Sequence, residues 1–217
     1  MQIEWYGQSA FRLSGADHTV AIDPFGDMSG AAARGVQFDY PPISGLSADL
    51  LLITHEHGDH NGADAVAGDP VILRSTAGKL ASPIGDVLAV ASEHDQAAGT
   101  ERGPNTIFAF TLDGVRIAHF GDFGQARLRE EQAAALGSVD LAIVPVGNGP
   151  TIGPDVAYEI AQTLGAKWVI PMHYRTERVN FLEPADPFLA KFEQVSRVDP
   201  AFELDSLAPG AVVPAAP

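Results

Sequence analysis

A short segment of the chain is dense in side chains that bind metal ions. It reads Thr54-His55-Glu56-His57-Gly58-Asp59-His60 and follows the apolar run Asp49 to Thr54. Side chains two positions apart in an extended chain point the same way, so His55 and His57 can face one ion. Gly58 permits a tight turn, after which the aspartate and the last histidine can face a second ion. A histidine-rich surface loop is the weaker alternative, because so many ligand-type residues stand at motif spacing.

The pattern His-x-His-x-Asp-His after a strand resembles the hallmark of the metallo-β-lactamase superfamily. The resemblance implies that Asp23 supports the site from outside the ligand set. It also implies three further ligands, His94, Asp122 and His173, of which Asp122 bridges two ions. The complete set implied is His55, His57 and His94 around one ion, Asp59, His60 and His173 around the other, and Asp122 between them.

The positions of these residues along the chain agree with that assignment. His94, Asp122 and His173 each follow an apolar run that has the pattern of a strand, as His55 does. Ligands gather at the carboxyl ends of strands in α/β proteins, so we expect these side chains to meet at one edge. The fold that the resemblance implies is a four-layer αββα sandwich.

Comparison with variants of the family restricts the type of metal ligand and the class of reaction. The chain contains no cysteine, so the metals would be held by nitrogen and oxygen, and the β-lactamases with a cysteine ligand are excluded. Di-iron flavoproteins of the superfamily have glutamate at the place of His57, so this histidine favours hydrolysis. Three blocks look closest to the small subfamily of ascorbate-phosphate lactonase and its relatives. They are Arg102–Thr106, Gly121-Asp122 and Pro171–Tyr174.

The resemblance implies two divalent ions, most simply Zn²⁺ with Mn, Fe or Ni as alternatives, and a hydroxide that bridges them. The predicted substrate is a small, anionic ester, lactone or amide. One alternative is a phosphodiesterase, such as a nuclease. Another is a metal-binding or sensing protein without turnover. Three residues are candidates for a direct part in catalysis. Asp59 could relay a proton, and Tyr174 and Arg175 could reach the developing anion, with ordinary packing and surface charge as the alternative for these two.

The overall charge argues against a polymeric substrate. Thirteen basic residues stand against 28 acidic ones, a net charge of −15, which repels nucleic acid at long range. No apolar run is long enough to span a membrane, and no signal peptide is visible, so we expect a cytoplasmic protein with a small-molecule substrate.

The remaining pattern predicts one α/β domain over residues 1–217. Expected strands include 71–73, 87–91, 106–112, 115–120, 141–144 and 168–170, with a hairpin formed by 3–13 and 19–23 and another turned at Asp113-Gly114. Expected helices are Gln125–Leu136, Pro154–Leu164 and Pro187–Val195. Gly26–Ala48 is predicted to be a long loop beside the site, with Phe38 or Tyr40 facing substrate, and Ala208–Pro217 a flexible tail. His119 is expected to lie in the core or behind the ligands.

Overall fold

The computed structural model describes residues 1–217, except for the side chain of Arg34. In chain order the strands are β1 (Gln2–Gly7), β2 (Ala10–Ser14), β3 (Thr19–Ile22), β4 (Leu46–Ser47), β5 (Leu50–Ile53), β6 (Val66–Ala67), β7 (Val71–Arg74), β8 (Gly78–Ser82), β9 (Gly85–Glu93), β10 (Pro104–Leu112), β11 (Val115–His119), β12 (Leu141–Pro145), β13 (Trp168–Met172), β14 (Val195–Val198), β15 (Ala201–Glu203) and β16 (Gly210–Pro214). The helices are α1 (Glu130–Leu136), α2 (Pro154–Thr163) and α3 (Asp186–Leu189), and short 3₁₀ turns cover Ser29–Arg34, Ala63–Ala65 and Leu204–Ser206.

Two mixed sheets form the body of the molecule. The first has six strands in the order β15-β1-β2-β3-β5-β7, and the second has eight in the order β14-β16-β13-β12-β11-β10-β9-β8. Their inner faces share one hydrophobic core, which contains large side chains from both sheets, such as Trp5, Phe11, Phe108 and Phe110. The predicted α/β sandwich is therefore confirmed.

The outer layers differ between the two sheets. The helix α2 contacts β12 and α3, so helices cover part of the second sheet. On the first sheet, the β4–β6 pair packs against outward-facing residues of β3 and β5, and Leu46, Leu51 and Ile53 form the centre of that contact. This outer layer is therefore irregular rather than helical. Among the described residues, no helix has the length and hydropathy that a transmembrane span requires.

The local patterns that were most specific in the sequence gave the right elements. The strand β5 is buried over its whole length, as its continuous apolar run indicated. Asp113 and Gly114 both have positive φ angles, and Leu112 pairs with Val115 across them. This is the tight hairpin that the Asp-Gly pair predicted.

Several predicted boundaries were wrong. Residues 3–13 are two strands, β1 and β2, that already form a hairpin, and the predicted turn before β3 makes a second one. The helix predicted from Gln125 begins only at Glu130, because the Gln125 side chain bonds Arg127 O and Gln132 and holds the preceding segment outside the helix. The helix predicted for Pro187–Val195 ends at Leu189, and Val195 begins β14.

The prediction of a flexible tail over residues 208–217 was also wrong. The strand β16 lies between β13 and β14 and pairs in parallel with both. Ala211 and Val212 are completely buried in the core. The Pro- and Ala-rich composition suggested fraying, but two neighbouring strands provide the hydrogen-bond partners that an isolated tail lacks.

The strand directions bring the candidate residues to one edge. The strands β3 and β5 are parallel, so Asp23 and His55 follow them on the same side of the first sheet. In the second sheet, β9, β11 and β13 run in the same direction, which puts His94, Asp122 and His173 at a common edge. The carboxyl ends of these strands, from both sheets, therefore form the floor of the candidate site.

Candidate metal centre

The seven candidate ligands meet at this edge, although they come from four separate parts of the chain. Their ligand atoms fall into three overlapping groups, within each of which all atoms lie within 4.8 Å of one another. The groups are His55, His57 and His94; His55, His60 and Asp122; and Asp59, His60 and His173. The structure thus brings together every residue of the set implied by the family resemblance. Their role as metal ligands stays a prediction.

Asp122 occupies the centre of the cluster. Its Oδ2 atom lies 3.0 Å from His94 Nε2 and 3.3 Å from His173 Nε2, and its Oδ1 atom lies 3.2 Å from His60 Nε2. These histidines belong to both predicted ion positions. A carboxylate between them has the geometry of a shared ligand, because its two oxygens lie next to histidines of both predicted ions.

Hydrogen bonds behind the cluster orient the imidazoles. His60 Nδ1 donates to Asp23 Oδ2 at 2.9 Å, and His94 Nδ1 donates to Pro150 O at 3.0 Å. His55 Nδ1 lies 3.1 Å from Thr54 Oγ1. An imidazole whose Nδ1 carries the proton presents an unprotonated Nε2, the form that binds metals, so these partners fix both tautomer and direction.

Asp23 links the first sheet to this arrangement. Its carboxylate is fully buried and accepts hydrogen bonds from the backbone N–H and the hydroxyl of Thr54, at 2.8 and 2.7 Å, as well as from His60. Asp23 therefore supports the candidate ligands without being one of them, as the resemblance implied. Thr54 is a supporting residue that sequence reasoning missed, and its place next to the first histidine was the available signal.

Asn105 is a second supporting residue that the sequence did not reveal. Its side-chain amide donates to Ser92 Oγ and Phe120 O, and its Oδ1 accepts from Asp122 N at 3.0 Å. A Cβ atom on Gly121 would lie only 2.4 Å from Asn105 Oδ1, and Gly121 has a φ of +53°. Glycine at this position lets the chain approach Asn105 closely, and the amide then fixes the backbone of Asp122.

The backbone of the cluster is strained at two of the functional side chains. Asp23 and His173 adopt φ angles of +45° and +51°, in the left-handed region that residues with a Cβ seldom occupy. Such conformations cost free energy and cluster at functional sites. The strain is a second indication, independent of the motif, that this edge of the sheets is a functional site.

Burial and mutual proximity perturb the titration of the cluster. Burial, together with neighbouring imidazoles, lowers the pKa of His55 to about 2. Burial opposes the charged form of His60, but the carboxylates of Asp122, Asp59 and Asp23 outweigh it and raise the pKa of His60. Burial would also raise the pKa of Asp122, yet His173 and His60 hold it well below its usual range. Asp122 is therefore a carboxylate, the form that binds a cation.

The buried atoms of the centre fit a metal better than they fit one another. His60 Nε2 and Asp122 Oδ1 face each other, yet neither forms a hydrogen bond, and both are fully buried. Buried polar atoms without partners are rare in native proteins. Imidazole nitrogens and carboxylate oxygens that converge without thiolates match the donors of a zinc-like divalent ion.

Two of the predicted catalytic residues, Tyr174 and Arg175, make contacts outside the ligand groups. Tyr174 is buried and stacks on Trp5, with 5.6 Å between the ring centroids, and burial raises the pKa of its hydroxyl. Arg175 is exposed, and its Nε donates to Leu182 O at 2.6 Å. Packing, the alternative stated for Tyr174, is what the structure favours. The catalytic role predicted for Arg175 stays a prediction.

The long loop lies beside the ligand-bearing segment. Gly26 N donates to Gly58 O at 3.1 Å, and the loop contains the 3₁₀ turn Ser29–Arg34, which the sequence did not predict. Phe38 and Tyr40 line a cavity of about 960 Å³ that Asn61 and Gly62 also border. The predicted location of the loop is confirmed, while its contact with substrate stays a prediction.

His119 lies outside the ligand groups. It is fully buried, its Nε2 donates to Ser9 O at 3.2 Å, and its Nδ1 accepts from Gly121 N at 3.2 Å. Burial lowers its pKa, so the ring is neutral. Both ring nitrogens are occupied, as expected for a histidine of the core.

We expect His119→Ala to leave the metal content of the purified protein unchanged. The substitution removes two buried hydrogen bonds and leaves a cavity, so the free energy of unfolding should fall by about 2–3 kcal/mol. Elemental analysis and denaturant unfolding of the variant beside the parent protein measure the two effects. Loss of metal from a folded variant would show that His119 is the ligand on this strand.

Comparisons with known proteins extend the similarity beyond the ligands. A family model described as a beta-lactamase superfamily domain matches residues 2–173, a range that contains all seven candidate ligands. A UPF0173 metal-dependent hydrolase from Pelotomaculum thermopropionicum is 30% identical, and the alignment covers 97% of this chain and 98% of the relative. Another, from Thermococcus kodakarensis, is also 30% identical and covers 81% and 85%.

A solved structure is similar over the same extent. It comes from Thermotoga maritima and was assigned to the Zn-dependent hydrolases of the metallo-β-lactamase superfamily. It superimposes with a TM-score of 0.79 and 30% identity, and the match covers 98% of this chain and 97% of that chain. The similarity is therefore a property of the whole fold and not of the histidine segment alone.

Proposed function

Since this chain belongs to the metallo-β-lactamase superfamily and is a metal-dependent hydrolase, we propose that it uses two divalent ions to cleave a small ester, lactone or amide. The position of Asp122 is the observation that carries the dinuclear proposal. This carboxylate contacts one histidine of the first predicted ion and two of the second. A single-ion site needs no such shared ligand.

Two divalent ions held there would supply an activated water as nucleophile and a Lewis acid for the carbonyl oxygen of the substrate. The protein's own side chains provide the rest of the chemistry. We assign His55, His57 and His94 to one ion and Asp59, His60 and His173 to the other, and Asp122 would be shared between them. Asp23 and the carbonyl of Pro150 keep the rings in the metal-binding tautomer, which reduces the reorganisation needed during the reaction.

The open side of the site is defined by its least buried members. His57 is exposed, and the Asp59 side chain is 21% exposed, whereas the other candidate ligands are buried. Substrate therefore approaches past these two residues. We assign Asp59 the relay of a proton, because it is the carboxylate of the set that substrate can reach. The oxygen that does not hold the ion would take the proton from the attacking water and pass it to the leaving group.

The charges of the site and of the whole protein favour different properties of the substrate. Two divalent ions exceed the charge of the carboxylates of Asp59 and Asp122, so the centre attracts an anion. The net charge of −15 repels a polyanion such as nucleic acid. A small molecule with one anionic group satisfies both conditions.

The metal ions are most simply zinc. Five imidazoles and two carboxylates form the candidate ligand set, and this set prefers Zn²⁺ to Mg²⁺, which favours oxygen ligands. We expect metal analysis of purified, zinc-saturated protein to give two equivalents of zinc.

The function is tested by screening the zinc-loaded protein on esters, lactones, amides and phosphodiesters, before and after treatment with a chelator. We expect turnover of at least one carbonyl substrate, its loss after chelation and its return with Zn²⁺. Mg²⁺ is the control and should not restore the activity. Turnover of phosphodiesters alone would contradict the proposed substrate class. Two bound ions without turnover of any compound would indicate a protein that binds metal without catalysis.

A further inference from the structure

One large apolar side chain next to the candidate metal centre is exposed without an evident structural reason. Among the described side chains, the exposed large hydrophobics are Val71, Ile72 and Phe181. The first two lie on β7, an edge strand of the first sheet. Phe181 is 41% exposed and lies in the segment that follows His173. A single exposed apolar residue needs no explanation in general, so its surroundings decide whether it has a role.

The ring of Phe181 faces the candidate ligand directly. Its centroid lies 6.5 Å from that of the His173 ring, at an interplanar angle of 78°. This edge-on arrangement places apolar surface beside the ion position formed by Asp59, His60 and His173. The ring therefore lies within reach of a molecule bound at that position.

Backbone contacts on both sides of Phe181 anchor the segment that carries it. Val179 and Leu182, which flank it closely in the sequence, are buried. Val179 forms bridges with Phe38 and Thr176, and Glu183 N donates to Gly147 O at 2.8 Å. The exposure of Phe181 is therefore imposed by an anchored segment rather than by a loose loop. A rigid apolar surface binds an apolar group at low conformational cost.

The surface beside Phe181 continues towards the long loop. Its neighbour Asn180 borders a recess of about 390 Å³ with a mixed lining, in which Met28 and Phe38 lie beside polar side chains. Met28 and Phe38 also line the cavity of about 960 Å³ beside the ligand-bearing segment. Phe181 itself borders neither space, so its contact would be with the part of a substrate that lies next to His173.

We propose that Phe181 is a specificity-determining residue that binds an apolar group of the substrate next to His173, an inference that rests on the proposed hydrolase function. The substrate then has two parts, a reactive carbonyl group at the ions and a hydrocarbon part on the phenyl ring. Burying both apolar surfaces removes them from water, which favours binding of the longer members of a substrate series.

The test compares Phe181→Ala, Phe181→Leu and the parent protein on two series of esters that each carry one carboxylate, one with lengthening acyl chains and one with lengthening alcohols. Ile72→Ala, at an exposed apolar residue of similar accessibility on β7, is the matched control. In the parent and the control, we expect KM to fall as the chain of one series lengthens. Phe181→Ala should raise KM for the longest ester about ten-fold, with little change in kcat or in KM for the shortest ester. Phe181→Leu should recover part of the loss.

A binding measurement separates this inference from the proposed function. Calorimetric titration of the zinc-loaded proteins with acetate and hexanoate, simple carboxylate probes, should show a preference for hexanoate that Phe181→Ala removes. If the parent hydrolyses no ester, lactone or amide but still shows this preference, the proposed function fails and the apolar subsite stands. An unchanged dependence on chain length in Phe181→Ala, in both ester series and in the titration, overturns the inference. Loss of zinc from that variant overturns it as well, because Phe181 would then shield His173 instead of binding substrate.

Discussion

Asp122→Ala is expected to lose more metal than one missing ligand would explain. The carboxylate lies within 3.3 Å of an imidazole nitrogen of His60, His94 and His173, and its charge offsets the repulsion between two neighbouring dications. Its removal lowers the affinity of the protein for both ions and with it the supply of the nucleophile. Turnover should fall by about three orders of magnitude, which corresponds to the several kcal/mol that a metal contributes to the transition state.

Asp122→Asn separates the charge of the residue from its shape. The backbone N–H of Asp122 still has Asn105 Oδ1 as its acceptor in this variant, so the local fold should be retained. We expect at most one tightly held equivalent of metal, as measured by elemental analysis, and circular dichroism checks that both variants are folded. Two full equivalents and normal turnover in Asp122→Ala would show that Asp122 does not bridge the ions.

Gly147→Ala should be the most damaging small substitution near the centre. An added Cβ would lie 2.1 Å from His173 O and 2.9 Å from Tyr174 Cα, both of which are backbone atoms that no rotamer change can move. His173 already has a φ of +51°, so its backbone has little freedom to shift. We expect the free energy of unfolding to fall by about 3 kcal/mol and the affinity for the ion at His173 to fall roughly 10- to 100-fold.

Gly30→Ala is the matched control for this prediction. A Cβ at Gly30 would meet nothing within 4 Å, so the same chemical change is made without a clash. Denaturant unfolding and competition with a zinc chelator give the two quantities for each variant. A Gly147→Ala protein with the stability and zinc affinity of the parent would mean that the contact with His173 does not hold the site together.

The sequence by itself determined the histidine-rich segment and, through the family resemblance that this segment carries, the remaining candidate ligands and the type of fold. The first four ligands stand in one segment directly after β5, so a local pattern carries the signal. The remaining ligands each follow an apolar run, and parallel strands bring their ends to one edge whatever the details of the packing. Strand periodicity and the Asp-Gly turn are likewise local effects, which is why the strand candidates in the centre of the sheets were correct.

Contacts between distant parts of the chain determined what the sequence did not. Asn105 fixes the backbone of Asp122, and the carbonyl of Pro150 orients His94, and nothing in the local sequence indicates either partner. Composition at the carboxyl end indicated a frayed tail, but pairing with β13 and β14 makes it a buried strand.

Tyr174 and Phe181 show the same limit at the site itself. Tyr174 follows a ligand in the sequence, yet its ring stacks on Trp5 in the core, whereas Phe181, eight positions after His173, faces it. A position close to a ligand in the sequence only makes contact with that ligand feasible. Which of them contacts it depends on the directions that the backbone gives them and on the partners available for burial, and both are set only when the two sheets pack together.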